Sequence, residues 1–312
     1  MVNYYKTVND SLLKVNSPED DTWISLLNPS EDEVNDVAKA YDIDINDMRS
    51  ALDKDERSRI EIEDNYTMVL VNIPTVQVQS DKELYDTIPL AVFIIKKHVI
   101  TVCTEETPIL SAFVSARVKT FNTAYKSQFV LRLLYRTAST YLVYLREIDK
   151  KSDALEAKMH SSTRNSELME LLKLEKSLLY FTTALRSNEA VMEKLFKSPF
   201  IKRFPEDEDL LDDVIVENKQ AIEMANIYSG VLSSMVDAFA SMISNNLNVA
   251  MKILAVITLV MSIPTIIFSA YGMNVAGIPL ASHPHGFMIV SVISCVISLV
   301  VLWVMTNIKS LK

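Results

Sequence analysis

The residues best suited to chemistry in this 312-residue chain fall on one line. Stepping alternately by four and three from Asp237 reaches Ser241, Ser244, Asn248, Met251, Ala255, Thr258, Ser262, Thr265 and Ser269, a 3.5-residue spacing that sets them on one seam of a helix. Beyond Ile253 the surrounding positions are dominated by Ile, Leu, Val, Phe and Met, whereas the seam stays small or hydroxyl-bearing and uncharged. A polar seam on a helix in lipid must point at protein or at water. It therefore serves either close packing of small residues between helices or the wall of a water-filled ion path. In the second case Asp237 contributes a carboxylate near the mouth, which concentrates cations. Just past the seam comes Tyr271-Gly272-Met273-Asn274, where Asn274 brings a side-chain amide that either caps the helix end or faces the path.

The elements that must position this seam are readable from hydropathy. Ile253 to Tyr271 and Phe287 to Met305 are each 19 residues without a charge. At ~1.5 Å per residue each run crosses the roughly 30 Å hydrocarbon layer, so both are expected to be transmembrane helices. Lys252 precedes the first, Lys309 and Lys312 follow the second, and the loop between holds no Lys or Arg, which by the positive-inside rule puts both termini in the cytoplasm. The N-terminus lacks the charged and apolar regions of a signal peptide, in keeping with that orientation and with a multi-pass protein of the plasma (inner) membrane. Two helices cannot enclose a water path, so a pore needs several copies about an axis, and each seam residue then becomes a ring.

Ahead of the hairpin the chain is charged and acidic. Residues 1–249 hold all 40 acidic residues and 28 of the 31 basic ones, a net of −12, which does not suit a nucleic-acid binder. Alternation or β-branched runs predict strands at 59–63, 67–73, 88–95 and 99–103, with a turn at 96–98. Ser30 and Glu33 have capping-box spacing before a helix, and a second helix is expected over Asp44–Leu52. From Pro108 to Pro199 there is no other proline and no glycine, and the period turns helical, which predicts two long antiparallel helices breaking near 161–165. From Glu206 to Ile263 apolar residues step by three and four without interruption, as in a helix that packs along its length. The expected fold is an α+β cytoplasmic domain (1–106), long antiparallel helices (107–205), a stalk helix (206–252) that continues into the first transmembrane helix, and a second transmembrane helix. The last two form a hairpin over 253–312 with a short extracellular loop at 272–286.

Tyr271-Gly272-Met273-Asn274 at the end of the first of two C-terminal transmembrane helices, after the stretch Ser244 to Leu254, resembles the CorA-type magnesium transporter family. The resemblance covers the whole architecture. It implies a homopentameric, channel-like transporter of divalent cations, most simply Mg²⁺ influx, in which Tyr271, Gly272, Met273 and Asn274 form the selectivity filter. It further implies pore positions at Asn248 and Met251, an apolar constriction at Leu254, a mouth ring at Asp237, and a regulatory cytoplasmic Mg²⁺ carboxylate at Asp213, with Asp86 or Asp81 as its partner. Mg²⁺ holds its six waters tightly, so amide oxygens from Asn274 suit the hydrated ion. Gly272 would permit a tight turn there and Tyr271 would brace the ring.

Some features depart from the family pattern. The loop Val275 to Gly286 carries no carboxylate, and its His283 and His285 keep a zinc or other divalent transporter on the same scaffold as an alternative. A membrane-anchored coiled-coil scaffold that moves no ion is another, though it leaves the polar seam unexplained. An enzyme is not expected. The four glycines all lie at or after position 230, which removes phosphate loops and dinucleotide fingerprints, and Cys103 and Cys295 form neither a disulfide framework nor a metal knuckle.

Overall fold

The structure is a computed structural model that describes residues 1–307 except 10, 80–81, 116, 119–120, 162–164, 198–204, 276 and 281–282. Asp81, Lys309, Lys312 and the middle of the expected break at 161–165 lie outside the described residues. The chain forms two compact units, Met1–Val236 and Asp237–Lys312.

The first unit is built on a seven-stranded sheet. Its strands are β1 (Val2–Val8), β2 (Ser11–Val15), β3 (Trp23–Leu27), β4 (Arg59–Ile62), β5 (Tyr66–Gln79), β6 (Lys82–Ile95) and β7 (Val99–Cys103), in the order β2-β1-β3-β7-β6-β5-β4. All neighbours are antiparallel except β3 and β7. Because side chains alternate across a strand, one run supplies both faces. Val69, Val71 and Ile73 join one core, and Met68 and Leu70 join the other. The second of these cores is covered by α1 (Glu31–Tyr41) and α2 (Ile45–Ser50), the first by α3 (Pro108–Val114), α4 (Lys126–Ser161), α5 (Asn165–Lys197) and the start of α6 (Pro205–Tyr271). Burial on both sides explains why the central strands are continuously apolar.

Local signals operate as expected at the helix starts. Ser30 caps α1 with the full reciprocal box to Glu33, Asp44 caps α2, and Thr107 caps α3 with Pro108 in its first turn. The structure adds strands β1 to β3, which the sequence pattern did not give. β2 sits at the sheet edge with β1 beside it, both half exposed, and they mix Lys, Asn, Ser and Thr with apolar residues, so they lack clean alternation. It also lengthens β5 and β6 to 14 residues each, since their polar ends pair with one another rather than with core.

One polar junction ties the long helices to the sheet. β4 stops pairing at Arg59↔Leu70, so the backbone of Asn72 faces an open edge. Its N–H donates to Asn188 Oδ1 (3.0 Å), and its carbonyl accepts from Asn188 Nδ2 (2.8 Å) and the Tyr141 hydroxyl (2.9 Å). Asn188 and Tyr141, from α5 and α4, are fully buried, and they supply the partners that buried backbone groups require. Pro89 stands opposite Asn72 and one residue beyond the last β6–β7 pair, Leu90↔Cys103, where its missing N–H breaks no ladder bond.

The second unit consists of α6 from Asp237 onward, the loop after Tyr271, and α7 (Gly286–Asn307). Both helices are long and apolar enough to cross a membrane. On α7 the buried residues are Gly286, Val290 and Ser294, while Trp303, Leu299 and Val296 are exposed. Phe268 and Phe287 rings meet at 6.2 Å near the loop. The loop closes tightly on Gly286: a Cβ there would stand 2.2 Å from the carbonyl oxygen of Leu280, which itself has a φ of 64°. No side chain fits that approach.

Candidate functional site

The seam lies on one continuous helix, as its period required. Asp237, Ser241, Asn248, Met251, Leu254, Thr258 and Thr265 are exposed in the single chain and Ser262 is half-buried, so this face is left open to whatever it lines. Met251, Leu254, Ala255, Thr258 and Ser262 share an open groove of about 480 Å³, with Leu259 as its flank.

The hydroxyls on this face are already bonded on one side. Thr258 Oγ1 donates to the Leu254 carbonyl (2.8 Å), Ser262 Oγ to that of Leu259 (2.7 Å), and Thr265 Oγ1 to that of Met261 (3.0 Å). A hydroxyl has one proton and two lone pairs, so each of these uses its proton inside the helix and keeps acceptor capacity for a partner outside. Such a surface suits metal-bound waters, which present hydrogens outward, better than it suits anions.

α6 ends at Tyr271, and the Gly272 N–H closes the last turn onto Phe268 O (2.9 Å) and Ser269 O (3.2 Å). Tyr271, Gly272, Met273 and Asn274 are all exposed. The tight turn expected of Gly272 is not what selects glycine there. Its φ is not in the left-handed region, and a Cβ would meet Phe268 O at 3.4 Å, an ordinary contact. In the same loop the His285 N–H donates to His283 Nδ1 (3.2 Å), so that ring nitrogen is engaged within the loop and is not a ready metal ligand.

Asp86 and Asp213 lie on different elements of the first unit. Asp86 lies on β6 opposite Thr75 and accepts from the Thr87 N–H (2.9 Å). Asp213 lies on α6, exposed, in the wall of a pocket of about 250 Å³ with Arg117, Arg132, Tyr135, Arg136 and Leu210, and Asp86 is not among its lining residues. Among the described residues no group of three or more His, Cys, Asp or Glu is gathered to hold a metal within one chain. The arginines around Asp213 escaped sequence reasoning; the signal available was Arg132 and Arg136 four apart on one helix face. Cys103 is buried, which pushes its thiol up to about 11 and leaves no thiolate for chemistry.

Comparison with known proteins returns one architecture. The model of the family described as CorA-like Mg²⁺ transporter protein matches residues 19–307. The cobalt/magnesium transport protein CorA of Methanocaldococcus jannaschii is 25% identical over 286 residues, covering 90% of this chain and 89% of that protein. The protein of the same name from Thermotoga maritima is 22% identical over 307 residues, covering 95% of this chain and 85% of that one. Among solved structures, the complete CorA magnesium transporter of M. jannaschii superposes with a TM-score of 0.80 at 22% identity, covering 99% of this chain and 98% of that one.

Proposed function

From the premise that the chain belongs to the CorA-like Mg²⁺ transporter family, we propose that five copies of it surround an axis lined by the α6 seam and pass hydrated Mg²⁺ into the cell. The observation that carries this reading is the seam itself, an open face whose hydroxyls already donate inward and keep acceptor oxygens for an outside partner.

The mechanism follows from the ion. Mg²⁺ surrenders its octahedral waters reluctantly, so a conduit that leaves them on needs acceptors at the second coordination sphere rather than ligands at the first. Asn274 amide oxygens meet those waters at the outer end, in the filter formed with Tyr271, Gly272 and Met273. Thr265, Ser262 and Thr258 extend the same acceptor surface inward. Leu254 and Met251 then form an apolar ring that closes by dewetting, and Asn248, Ser241 and the Asp237 carboxylates return the ion to water at the cytoplasmic mouth. An inside-negative potential drives entry: two charges gain about 4.6 kcal/mol per 100 mV. Both termini are cytoplasmic in this arrangement, with loop 272–286 outside.

Regulation uses the same ion. Asp213 of one copy and Asp86 of the next bind cytoplasmic Mg²⁺, which offsets repulsion between acidic subunits and favours the closed assembly, a population shift set by differential binding. Purified protein in liposomes loaded with a Mg²⁺-sensitive dye tests the whole reading. Uptake driven by a negative interior potential, unaffected by micromolar Zn²⁺, is expected; Zn²⁺ uptake without Mg²⁺ uptake, or no ion flux at all, overturns it.

A further inference from the structure

A pocket of about 310 Å³ in the first unit lies between α3 and the β1–β3 pair, away from the ion path. Asn3 pairs with Ser25 and Tyr5 with Trp23, so these four side chains share one face of the sheet. α3 supplies the opposite wall through Ser111, and Glu106 stands just before that helix. The pocket shares no residue with the one at Asp213 and contains neither Asp86 nor Asp213, the two carboxylates given to contact between copies.

Its polar groups are short of partners. Ser25 is 8% exposed and lines the pocket, and among the described residues its hydroxyl makes no hydrogen bond. A buried hydroxyl left without a partner costs free energy that a bound ligand can return. Glu106 is the one charged residue of the lining, so the pocket is negative. Its carboxylate is exposed, accepts from the Ser111 hydroxyl (3.3 Å), and makes no ion pair among the described residues. Tyr5 is half-buried and packs on the buried Trp23 with ring centroids 5.0 Å apart. Burial and the Glu106 carboxylate together push the Tyr5 phenol up, so the carboxylate is close enough to act on that ring.

The walls decide which cation fits. Hydrated Mg²⁺ needs acceptors on every side, and a single carboxylate beside two aromatic rings does not supply them. An alkylammonium ion is larger and carries its charge diffusely, so it gains from a carboxylate and from an aromatic face within about 6 Å at the same time. The volume stands at the small end of the ~300–1,000 Å³ range of ligand sites, which suits a free molecule of a few carbons and not a nucleoside. We infer that this pocket binds a small organic ammonium ion of the choline or amino-alcohol type, its cationic head between Glu106 and the Tyr5 ring and its hydroxyl on Ser25 and Asn3.

The test uses the full-length protein in a neutral maltoside detergent. The chain has two tryptophans, so Trp303→Phe leaves Trp23 as the sole reporter, at the pocket itself. Choline is the probe, titrated at constant ionic strength with millimolar Mg²⁺ present. A saturable change in Trp23 fluorescence is expected, and the neutral isostere of choline, with carbon in place of the quaternary nitrogen, should bind at least tenfold more weakly. Glu106→Gln should weaken choline binding at least tenfold, and Tyr5→Leu by about threefold to thirtyfold. Glu106 is exposed and off the ion path, so Glu106→Gln should keep the Mg²⁺ uptake of the parent, which shows that the variant is folded. No saturable change, equal binding of the neutral isostere, or unchanged binding in Glu106→Gln overturns the site. Displacement of choline by added Mg²⁺ at constant ionic strength overturns it as well, because the pocket is then a metal site.

Discussion

Thr258→Val tests the acceptor surface at a single atom. Valine keeps the branched shape of threonine, so packing along α6 is largely retained while the oxygen is lost. In the structure that hydroxyl donates to the Leu254 carbonyl, so the internal bond lost is exposed and cheap, and the main loss is the lone pair turned outward. One hydrogen bond to a metal-bound water contributes about 0.5–1 kcal/mol net. An octahedral hydrate can meet about three of five such oxygens at once, so the ring stabilises the passing ion by about 1.5–3 kcal/mol. At 1.4 kcal/mol per tenfold, Mg²⁺ flux should fall by about tenfold to a hundredfold. The assay is dye-reported uptake into liposomes at fixed protein density, with Ile257→Thr as the matched control that adds a hydroxyl off the seam. Unchanged flux in Thr258→Val, or an equal change in Ile257→Thr, refutes the acceptor argument and returns the seam to helix packing.

Asn274→Ala should abolish Mg²⁺ uptake while the oligomer elutes normally, because it removes the side-chain amide at the outer end of the seam; retained uptake removes the filter assignment. Millimolar Mg²⁺ should protect the soluble part of the wild type from protease and protect Asp213→Ala much less, and equal protection of both places the sensor elsewhere. Gly286→Ala should destabilise the outer turn by about 2 kcal/mol or more, since its Cβ would press on the Leu280 carbonyl, whereas Gly230→Ala, where nothing lies within 4 Å, should stabilise by about 0.5–1 kcal/mol. Thermal unfolding in detergent reads both signs. Asn188→Ala should cost about 1–3 kcal/mol in urea unfolding followed by the buried Trp23, because it strips partners from the Asn72 backbone; a neutral result means water replaces the amide.

The polar seam was legible in the sequence because everything that defines it is local. A 3.5-residue period of hydroxyls against Ile and Leu fixes which residues share a face of α6, and charge-free runs of 19 residues fix what can cross lipid. The start of α1 was legible for the same reason, since Ser30 and Glu33 complete their capping box within one turn. The sheet was readable at its apolar centre, β5 to β7, but not at β1 and β2, whose polar edge residues take their conformation from pairing with a neighbour. Asn188 beneath Asn72, Leu280 against Gly286, and Arg117 beside Arg136 and Asp213 were invisible to any periodicity. Hydrophobic periodicity reports which face of an element is buried, and so the sequence alone determined the elements and the seam. Which polar side chain arrives opposite which is decided by how those faces pack, because an unmet buried N–H or a crowded charge is satisfied across space by residues a hundred positions away.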